Sequence, residues 1–143
     1  MIEIERLVKK YGEKTAVDGL TLRVPRGELF VLLGPNAAGK TTTLKVMAGL
    51  LKPTSGGVRI GGYSVAAQYV EAKKLLRYVP DFPFLYGKLT GMEFLEFVAD
   101  LYGLSRPDLE ERAAPMLEQF RIWNDRHTLI EDYSHGMKQK LIM

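Results

Sequence analysis

The stretch GPNAAGKTTT, residues 34–43, constrains the fold of this chain more than any other part of the sequence. It comes after the apolar run LFVLL, which suits a strand buried on both faces. It leads into LKVMAGLL, whose apolar residues recur at helical spacing. Strand, glycine-rich turn and helix is the context in which the pattern G-x-x-x-x-G-K-[ST] binds phosphate. The sequence therefore predicts an α/β fold built around such a loop.

The residue types in this loop suit a nucleoside triphosphate with Mg²⁺. Gly34 and Gly39 let the backbone curl so that successive N–H groups point at phosphate oxygens, and the helix adds the positive end of its dipole. Lys40 is expected to reach the β- and γ-phosphates, Thr41 to offer its hydroxyl to Mg²⁺, and Thr42 to contact the α-phosphate. A strand–helix turn that binds nothing is the alternative. The predicted nucleotide-binding loop comprises Gly34, Pro35, Asn36, Ala37, Ala38, Gly39, Lys40, Thr41 and Thr42.

Ala37 stands where a phosphate-binding loop often needs a positive φ. Glycine adopts that conformation freely, whereas alanine loses ~1 kcal/mol or more. We expect either a left-handed Ala37 or a loop distorted from the usual cradle. With a left-handed Ala37, the substitution Ala37→Gly is expected to improve nucleotide affinity.

The composition of the chain argues against several classes of function. The 143 residues suffice for one domain with a core, and 20 Lys and Arg against 17 Asp and Glu leave a net charge of +3. Because no basic run exceeds a pair of residues, a nucleic-acid partner is not expected. The absence of cysteine excludes disulfides and thiolate metal sites. No apolar run is long enough to span a bilayer, and the N-terminus does not resemble a secretory signal.

Periodicity divides the chain into a mixed α/β segment, residues 1–85, and a helical segment, residues 86–143. Strands are expected at 2–8, 20–24, 29–33, VRIGG and 78–80, with a helix at 66–77. In the second segment, Thr90 and Glu93 form a predicted capping box, and Gly103 ends that helix. A further helix is expected from Pro107 to about Ile122, kinked or split at Pro115.

Three further stretches, KKYGEKTAVDGL, LKPTSGGVRIGG and DYSHGMKQKL, stand in the order seen in ATP-binding cassettes. On these motifs, which with the loop extend over essentially the whole chain, the sequence resembles the nucleotide-binding subunit of an ABC transporter. The resemblance implies an α/β P-loop NTPase core of the ABC ATPase type, with an antiparallel β subdomain and a helical subdomain. It implies ATP and Mg²⁺ as cofactors.

Three residues outside the loop acquire roles from this resemblance. Tyr11 matches the aromatic residue that stacks on adenine, although a surface tyrosine that ends an edge strand is the alternative. Val17 is expected to line the surface on which the adenine lies, the adenine shelf. Asp81 stands where the family usually has a glutamine that touches Mg²⁺ and the attacking water, and its oxygens remain available to the metal. A helix-cap or turn role for Asp81 is the alternative.

The signature motif of the family is roughly LSGGQ, and here it reads Tyr133-Ser134-His135-Gly136-Met137. The resemblance implies that Ser134 and the backbone donors after it contact the γ-phosphate of ATP held by a second nucleotide-binding subunit. An ordinary helix N-cap is the alternative for Ser134, and is compatible with phosphate binding. His135 replaces a glycine, and is interpreted as a substitution that points aside rather than as a catalytic group. The alternative is a protonated His135 that adds positive charge near the phosphate.

The resemblance also predicts three features on the C-terminal side of the signature: an apolar strand with an aspartate for Mg²⁺, a glutamate that activates water, and a histidine. None of these occurs before Met143, so the chain is expected to be incomplete at the C-terminus and to hydrolyse ATP only at background rate. Its catalytic base is therefore unassigned. The full-length parent is expected to be an ATPase that powers transport through a membrane-spanning subunit at the inner face of the cell membrane. The stretch LTGMEFLEFVADLYGL and the acidic Asp81 resemble exporter-type members of the family. A nucleotide-binding module without turnover and a soluble, non-transport ATPase of the same superfamily are the alternatives.

Overall fold

The computed structural model describes all 143 residues, and the chain forms two compact units, Met1–Tyr78 and Val79–Met143. The division falls earlier in the chain than the predicted boundary between residues 85 and 86. Each unit has an apolar core of its own.

The first unit is built on an antiparallel sheet of four strands. These are β1 (Ile2–Tyr11), β2 (Lys14–Val24), β3 (Ser55–Ile60) and β4 (Tyr63–Ser64), in the order β2-β1-β3-β4. Helices α1 (Lys40–Met47) and α2 (Tyr69–Lys74) complete the unit. The alternating patterns at 2–8 and 20–24 therefore lie in strands as predicted, whereas the helix expected at 66–77 is shorter.

The core of this unit lies between the sheet and the helices. Ile4 and Leu7 of β1 are fully buried, and Val58 of β3 and Val46 of α1 pack in the same cluster. Burial of such side chains contributes about 1.5–3 kcal/mol each. This packing fixes α1, and with it the predicted phosphate-binding loop at its N-terminus, against the antiparallel sheet.

The prediction of a doubly buried strand at residues 29–33 is wrong for this chain. The segment forms no strand, and Leu29 and Leu33 are 95% and 84% exposed. A strand of this kind needs a hydrogen-bonded neighbour on each side. All four strands of the sheet pair among themselves, so residues 29–33 have no partner. The short strand predicted at 78–80 is absent for the same reason.

The second unit is helical. It contains α3 (Gly91–Leu101), α4 (Arg106–Gln119), a 3-10 turn at Ile130–Asp132, and α5 (His135–Leu141). Of the two outcomes predicted for Pro115, a kinked or a split helix, the split is wrong, because α4 continues through this residue. Pro115 lies on the exposed side of α4, where water can satisfy the carbonyl that its missing N–H leaves free. None of the helices combines the length and the hydrophobicity that crossing a bilayer would need.

The capping box at the start of α3 is confirmed. The Thr90 backbone N–H donates to Glu93 Oε2 at 2.7 Å, and the Glu93 N–H donates to Thr90 Oγ1 at 3.2 Å. The hydrogen bond from the Thr90 backbone, and after it that from its side chain, lowers the pKa of Glu93. A carboxylate whose pKa is lowered by folding stabilises the native state above its unfolded pKa, and this contribution disappears as pH falls through the folded value.

We therefore expect Glu93→Gln to reduce the acid sensitivity of the second unit. The loss of stability between neutral pH and pH values below the ordinary glutamate pKa should be smaller in this variant than in the wild type. The measurement is urea unfolding monitored by circular dichroism across that pH range. Glu111→Gln, at an exposed position on α4, is the control. Equal pH dependence in all three proteins would contradict the capping explanation.

Candidate nucleotide-binding site

The predicted phosphate-binding loop leads directly into α1. Gly39 is the N-cap of the helix, with a φ of 80°, and no side chain caps the helix there. Ala37 has a φ of 66°, so of the two outcomes expected at this residue the chain shows the left-handed conformation. The loop therefore turns through two left-handed residues just before the first helical residue, Lys40. Such a turn directs successive N–H groups toward one point.

The amides at the start of α1 are free to bind an anion. The first helical N–H with a partner in the chain is that of Thr43, which donates to the Gly39 carbonyl at 2.8 Å. The N–H groups of Lys40, Thr41 and Thr42 precede it and have no acceptor in the chain. Their alignment with the positive end of the helix dipole makes this terminus attractive to phosphate oxygens.

The Lys40 side chain curls back over the loop. Its ammonium group donates to the carbonyl oxygens of Gly34, at 2.5 Å, and Pro35, at 2.6 Å. These two contacts hold a positive charge beside the loop carbonyls, close to the N-terminus of α1 where the free amides lie. Lys40 can therefore supply a point charge to a phosphate group that lies in the cradle.

Strand β2 packs closely behind the loop. A Cβ atom on Gly39 would lie 2.3 Å from the Ala16 carbonyl oxygen and 3.2 Å from Val17 Cγ2. Only glycine permits this approach. Val17 and Lys40 also line a cavity of about 250 Å³, together with Ala38 and Thr43. The predicted shelf residue Val17 thus lies beside the loop, whereas Tyr11 ends β1 on the same hairpin and is 48% exposed.

The left-handed Ala37 predicts the effect of a glycine substitution. We expect Ala37→Gly to raise the free energy of unfolding of the first unit by up to about 1 kcal/mol, because glycine avoids the cost that alanine has in this conformation. Denaturant unfolding measures the difference. The gain in nucleotide affinity expected from the sequence does not follow from this φ, since the folded chain has the same cost before and after the nucleotide binds. Ala38→Gly is the matched control, since the φ of Ala38 is not positive. An equal effect of both variants would show that backbone strain at residue 37 is not the cause.

The signature residues lie in the second unit, where they begin α5. Ser134 is the N-cap of this helix, and its Oγ accepts a hydrogen bond from the Met137 N–H at 3.2 Å. The side chain of Ser134 is exposed, as are His135 and Gly136. Ser134 is therefore the N-cap of α5, as one of the two interpretations predicted. Its contact with ATP held by a second subunit stays a prediction.

Tyr133 anchors the signature to the core of the second unit. Its ring is buried, and its hydroxyl donates to the Asp125 carbonyl at 2.7 Å. Burial, with a smaller contribution from the negative charge of Asp125, raises the pKa of Tyr133. A Cβ on Gly91 would lie 2.3 Å from the Tyr133 hydroxyl oxygen, so α3 packs directly against it. Sequence reasoning missed this anchor, since a tyrosine before an N-cap serine is not a distinctive pattern.

Asp81 lies beside the signature helix. Its backbone carbonyl accepts a hydrogen bond from Gln139 Nε2 at 3.2 Å, and the adjacent Phe82 ring lies 5.4 Å from the His135 ring. The Asp81 side chain is exposed and makes no hydrogen bond or ion pair, and no helix begins at this residue. Asp81 is therefore not a helix cap, although it does lie in a bend of the backbone, and its carboxylate oxygens are free. Gln139 and Phe82 carry no motif that would have predicted these contacts.

The two Mg²⁺ ligands predicted from the sequence, Thr41 and Asp81, are each described within their own unit. Thr41 is the second residue of α1, and its hydroxyl is exposed without a partner in the chain. A hydroxyl and a carboxylate oxygen are both ligands that Mg²⁺ accepts. The Thr41 hydroxyl in the first unit and the Asp81 carboxylate in the second are each of this chemical type, and their joint use by one metal ion stays a prediction.

Comparison with known proteins supports a family assignment. The chain is 38% identical over 141 residues to the linearmycin resistance ATP-binding protein LnrL of Bacillus subtilis (strain 168), a match that covers 99% of the chain and 45% of LnrL. It is 37% identical over 140 residues to the daunorubicin/doxorubicin resistance ATP-binding protein DrrA of Streptomyces peucetius, covering 98% of the chain and 42% of DrrA. The chain thus spans about half the length of the curated relatives it matches.

Solved structures agree. One described as the ATP binding subunit of an ABC transporter superposes with a TM-score of 0.84 at 36% identity, covering 99% of this chain and 59% of that chain. This likeness confirms the predicted fold class, an α/β ABC ATPase-like core with an antiparallel β subdomain and a helical subdomain. The family model described as ABC transporter matches residues 17–143, from the shelf residue Val17 through the phosphate-binding loop and the signature. The chain therefore belongs to the ABC transporter family, among its ATP-binding proteins.

Proposed function

We propose that this chain binds MgATP as the nucleotide-binding part of an ABC transporter subunit. The phosphate-binding loop carries the proposal, because it presents three unpartnered amides and a lysine ammonium group at one helix N-terminus. A triphosphate in this cradle would replace the carbonyl partners of Lys40 with phosphate oxygens. Thr41 would hold Mg²⁺ through its hydroxyl, and Asp81 would add a carboxylate oxygen. When bound, the ion would neutralise the negative charge that develops on the phosphate groups.

The adenine would lie on the hairpin that joins β1 to β2. Tyr11 has about half of its surface exposed, and an aromatic ring of this kind can stack on a base. Val17 packs behind the loop and supplies an apolar edge to the same surface. Because every base has a π-face, we expect this contact to contribute affinity more than base selectivity.

We further propose that the whole subunit hydrolyses ATP to power export through a membrane-spanning partner, from the cytoplasmic face of the membrane. The support is that LnrL and DrrA are named as resistance ATP-binding proteins, and that other relatives are named for Nod factor or peptide export. Ser134 and the amides of α5 would contact ATP held by a second nucleotide-binding subunit. This arrangement suits the exposed N-terminus of α5.

The decisive experiment combines binding and turnover on the 143-residue chain. Calorimetry with MgATP is expected to show saturable binding, and a phosphate-release assay reports hydrolysis against a Lys40→Ala blank. Lys40-dependent hydrolysis would show that the residues present here suffice for catalysis, with Asp81 or another residue of this chain as the base. Binding without hydrolysis would identify a nucleotide-binding module. No MgATP binding by a folded chain would contradict the proposal.

A further inference from the structure

Lys9 makes two contacts that the nucleotide-binding motifs do not explain. Its ammonium group donates to the Lys52 carbonyl at 2.9 Å, although the two residues are 43 positions apart. The same ammonium group lies 5.1 Å from the centroid of the Tyr11 ring. A cation within about 6 Å of an aromatic face is attracted to its electron density. One side chain therefore joins the ring of Tyr11 to a distant part of the chain.

The carbonyl that Lys9 binds belongs to the segment that leaves the phosphate-binding helix. This segment runs from the end of α1 to β3 and is fastened to β1 at two further points. The Thr54 N–H donates to the Val8 carbonyl at 2.8 Å, and the Lys10 N–H donates to Thr54 Oγ1 at 2.9 Å. Lys9 thus holds a position set by several backbone contacts, and its ammonium group is fixed over Tyr11 rather than free in solvent.

The Tyr11 ring keeps exposed surface although the ammonium group of Lys9 lies over it. Lys9 is half-buried, while Tyr11 remains 48% exposed. A ring with a cation on one face has its other face for a planar ligand. The cation also restricts rotation of the ring about its side-chain bonds, so less freedom is lost when a base stacks on it.

We propose that Lys9 is a positioning residue for the nucleotide base: it covers one face of Tyr11 and presents the opposite face to the adenine. The inference rests on the proposed function, since it concerns how MgATP is held. Lys9 acts through the ring and does not itself contact the phosphates. Its removal should therefore affect ligands that carry a base and spare those that do not.

The test compares MgATP with magnesium tripolyphosphate, measured by calorimetry on the 143-residue chain. Lys9→Met is expected to weaken MgATP binding about two- to fivefold, because a ring that is no longer held loses more side-chain freedom when the base stacks on it. Tripolyphosphate binding should not change. Lys9→Arg should retain the MgATP affinity, because guanidinium also lies well over an aromatic ring. Lys10→Met, at the next position of the same strand, removes the same charge away from the ring and should leave both affinities unchanged.

The Tyr11→Leu variant tests whether the charge of Lys9 acts through the Tyr11 ring. In Tyr11→Leu, Lys9→Met should have no further effect on MgATP binding, since the ring through which Lys9 acts is gone. The inference would be overturned by an equal loss of tripolyphosphate affinity, by a loss of MgATP affinity that persists in the Tyr11→Leu background, or by no loss of MgATP affinity. None of these outcomes would contradict MgATP binding by the wild-type chain. Failure of the wild-type chain to bind MgATP would overturn the proposed function as well. Thermal unfolding of Lys9→Met and Lys10→Met shows whether the affinities come from equally folded proteins.

Discussion

Gly39→Ala is expected to destabilise the first unit by about 2–5 kcal/mol and to weaken MgATP binding by more than tenfold. Two costs add at this residue. Its φ of 80° is a left-handed conformation, which costs an alanine about 1–2 kcal/mol. The new Cβ would also lie 2.3 Å from the Ala16 carbonyl oxygen, a backbone atom that cannot rotate away, and overpacking of this kind costs about 1–3 kcal/mol.

Binding suffers because the clash moves the part of the loop that binds phosphate. Gly39 is the N-cap of α1, so a displacement there redirects the amides of Lys40, Thr41 and Thr42. Gly27→Ala is the matched control. Gly27 has a φ of 81°, and an added Cβ would meet no atom within 4 Å. That variant should lose only about 1–2 kcal/mol of stability and keep its nucleotide affinity. Denaturant unfolding and calorimetry measure both quantities, and equal behaviour of the two variants would contradict the role of the Ala16 contact.

Local signals in the sequence predicted the parts of the site that are set by neighbouring residues. The position of the loop at the N-terminus of α1 was predictable because Gly39, Lys40 and Thr41 are consecutive residues of one sequence motif. The capping residues Thr90 and Ser134 need only acceptor oxygens placed three residues before an amide. The conformation of Ala37 was predictable by the same kind of argument, since a phosphate-binding turn restricts φ regardless of the rest of the fold.

Features that depend on distant partners were not predictable in the same way. The apolar run at 29–33 has the composition of a buried strand, yet burial requires neighbours that no residue in the run can supply. The contact of Phe82 with His135 joins residues more than fifty positions apart, and so does the bond from Gln139 to Asp81. In the sequence, Lys9 resembles any charged residue of a half-exposed strand. Its position over Tyr11 depends on the path of the segment after α1.

Lys40→Ala is expected to weaken MgATP binding by tenfold or more. Hydrogen bonds from a charged group contribute roughly 1.5–3 kcal/mol each, and about 1.4 kcal/mol corresponds to one factor of ten in affinity. The ammonium group already lies at the loop, within hydrogen-bond distance of the Gly34 and Pro35 carbonyl oxygens, so little rearrangement is needed to reach a phosphate. Lys45→Ala, in the last turn of the same helix, removes the same charge away from the loop and should leave the affinity unchanged.

A comparison of ATP with AMP distinguishes a phosphate contact from a structural one. If Lys40 contacts the β- and γ-phosphates, its removal weakens ATP binding strongly and AMP binding little, because AMP lacks both groups. If Lys40 acts only by holding the Gly34 and Pro35 carbonyls, the loop loosens for every ligand and the two affinities fall together. Calorimetry with both nucleotides, on variants whose circular dichroism matches that of the wild type, separates these cases. Equal ATP affinity in Lys40→Ala and the wild type would remove Lys40 from the site.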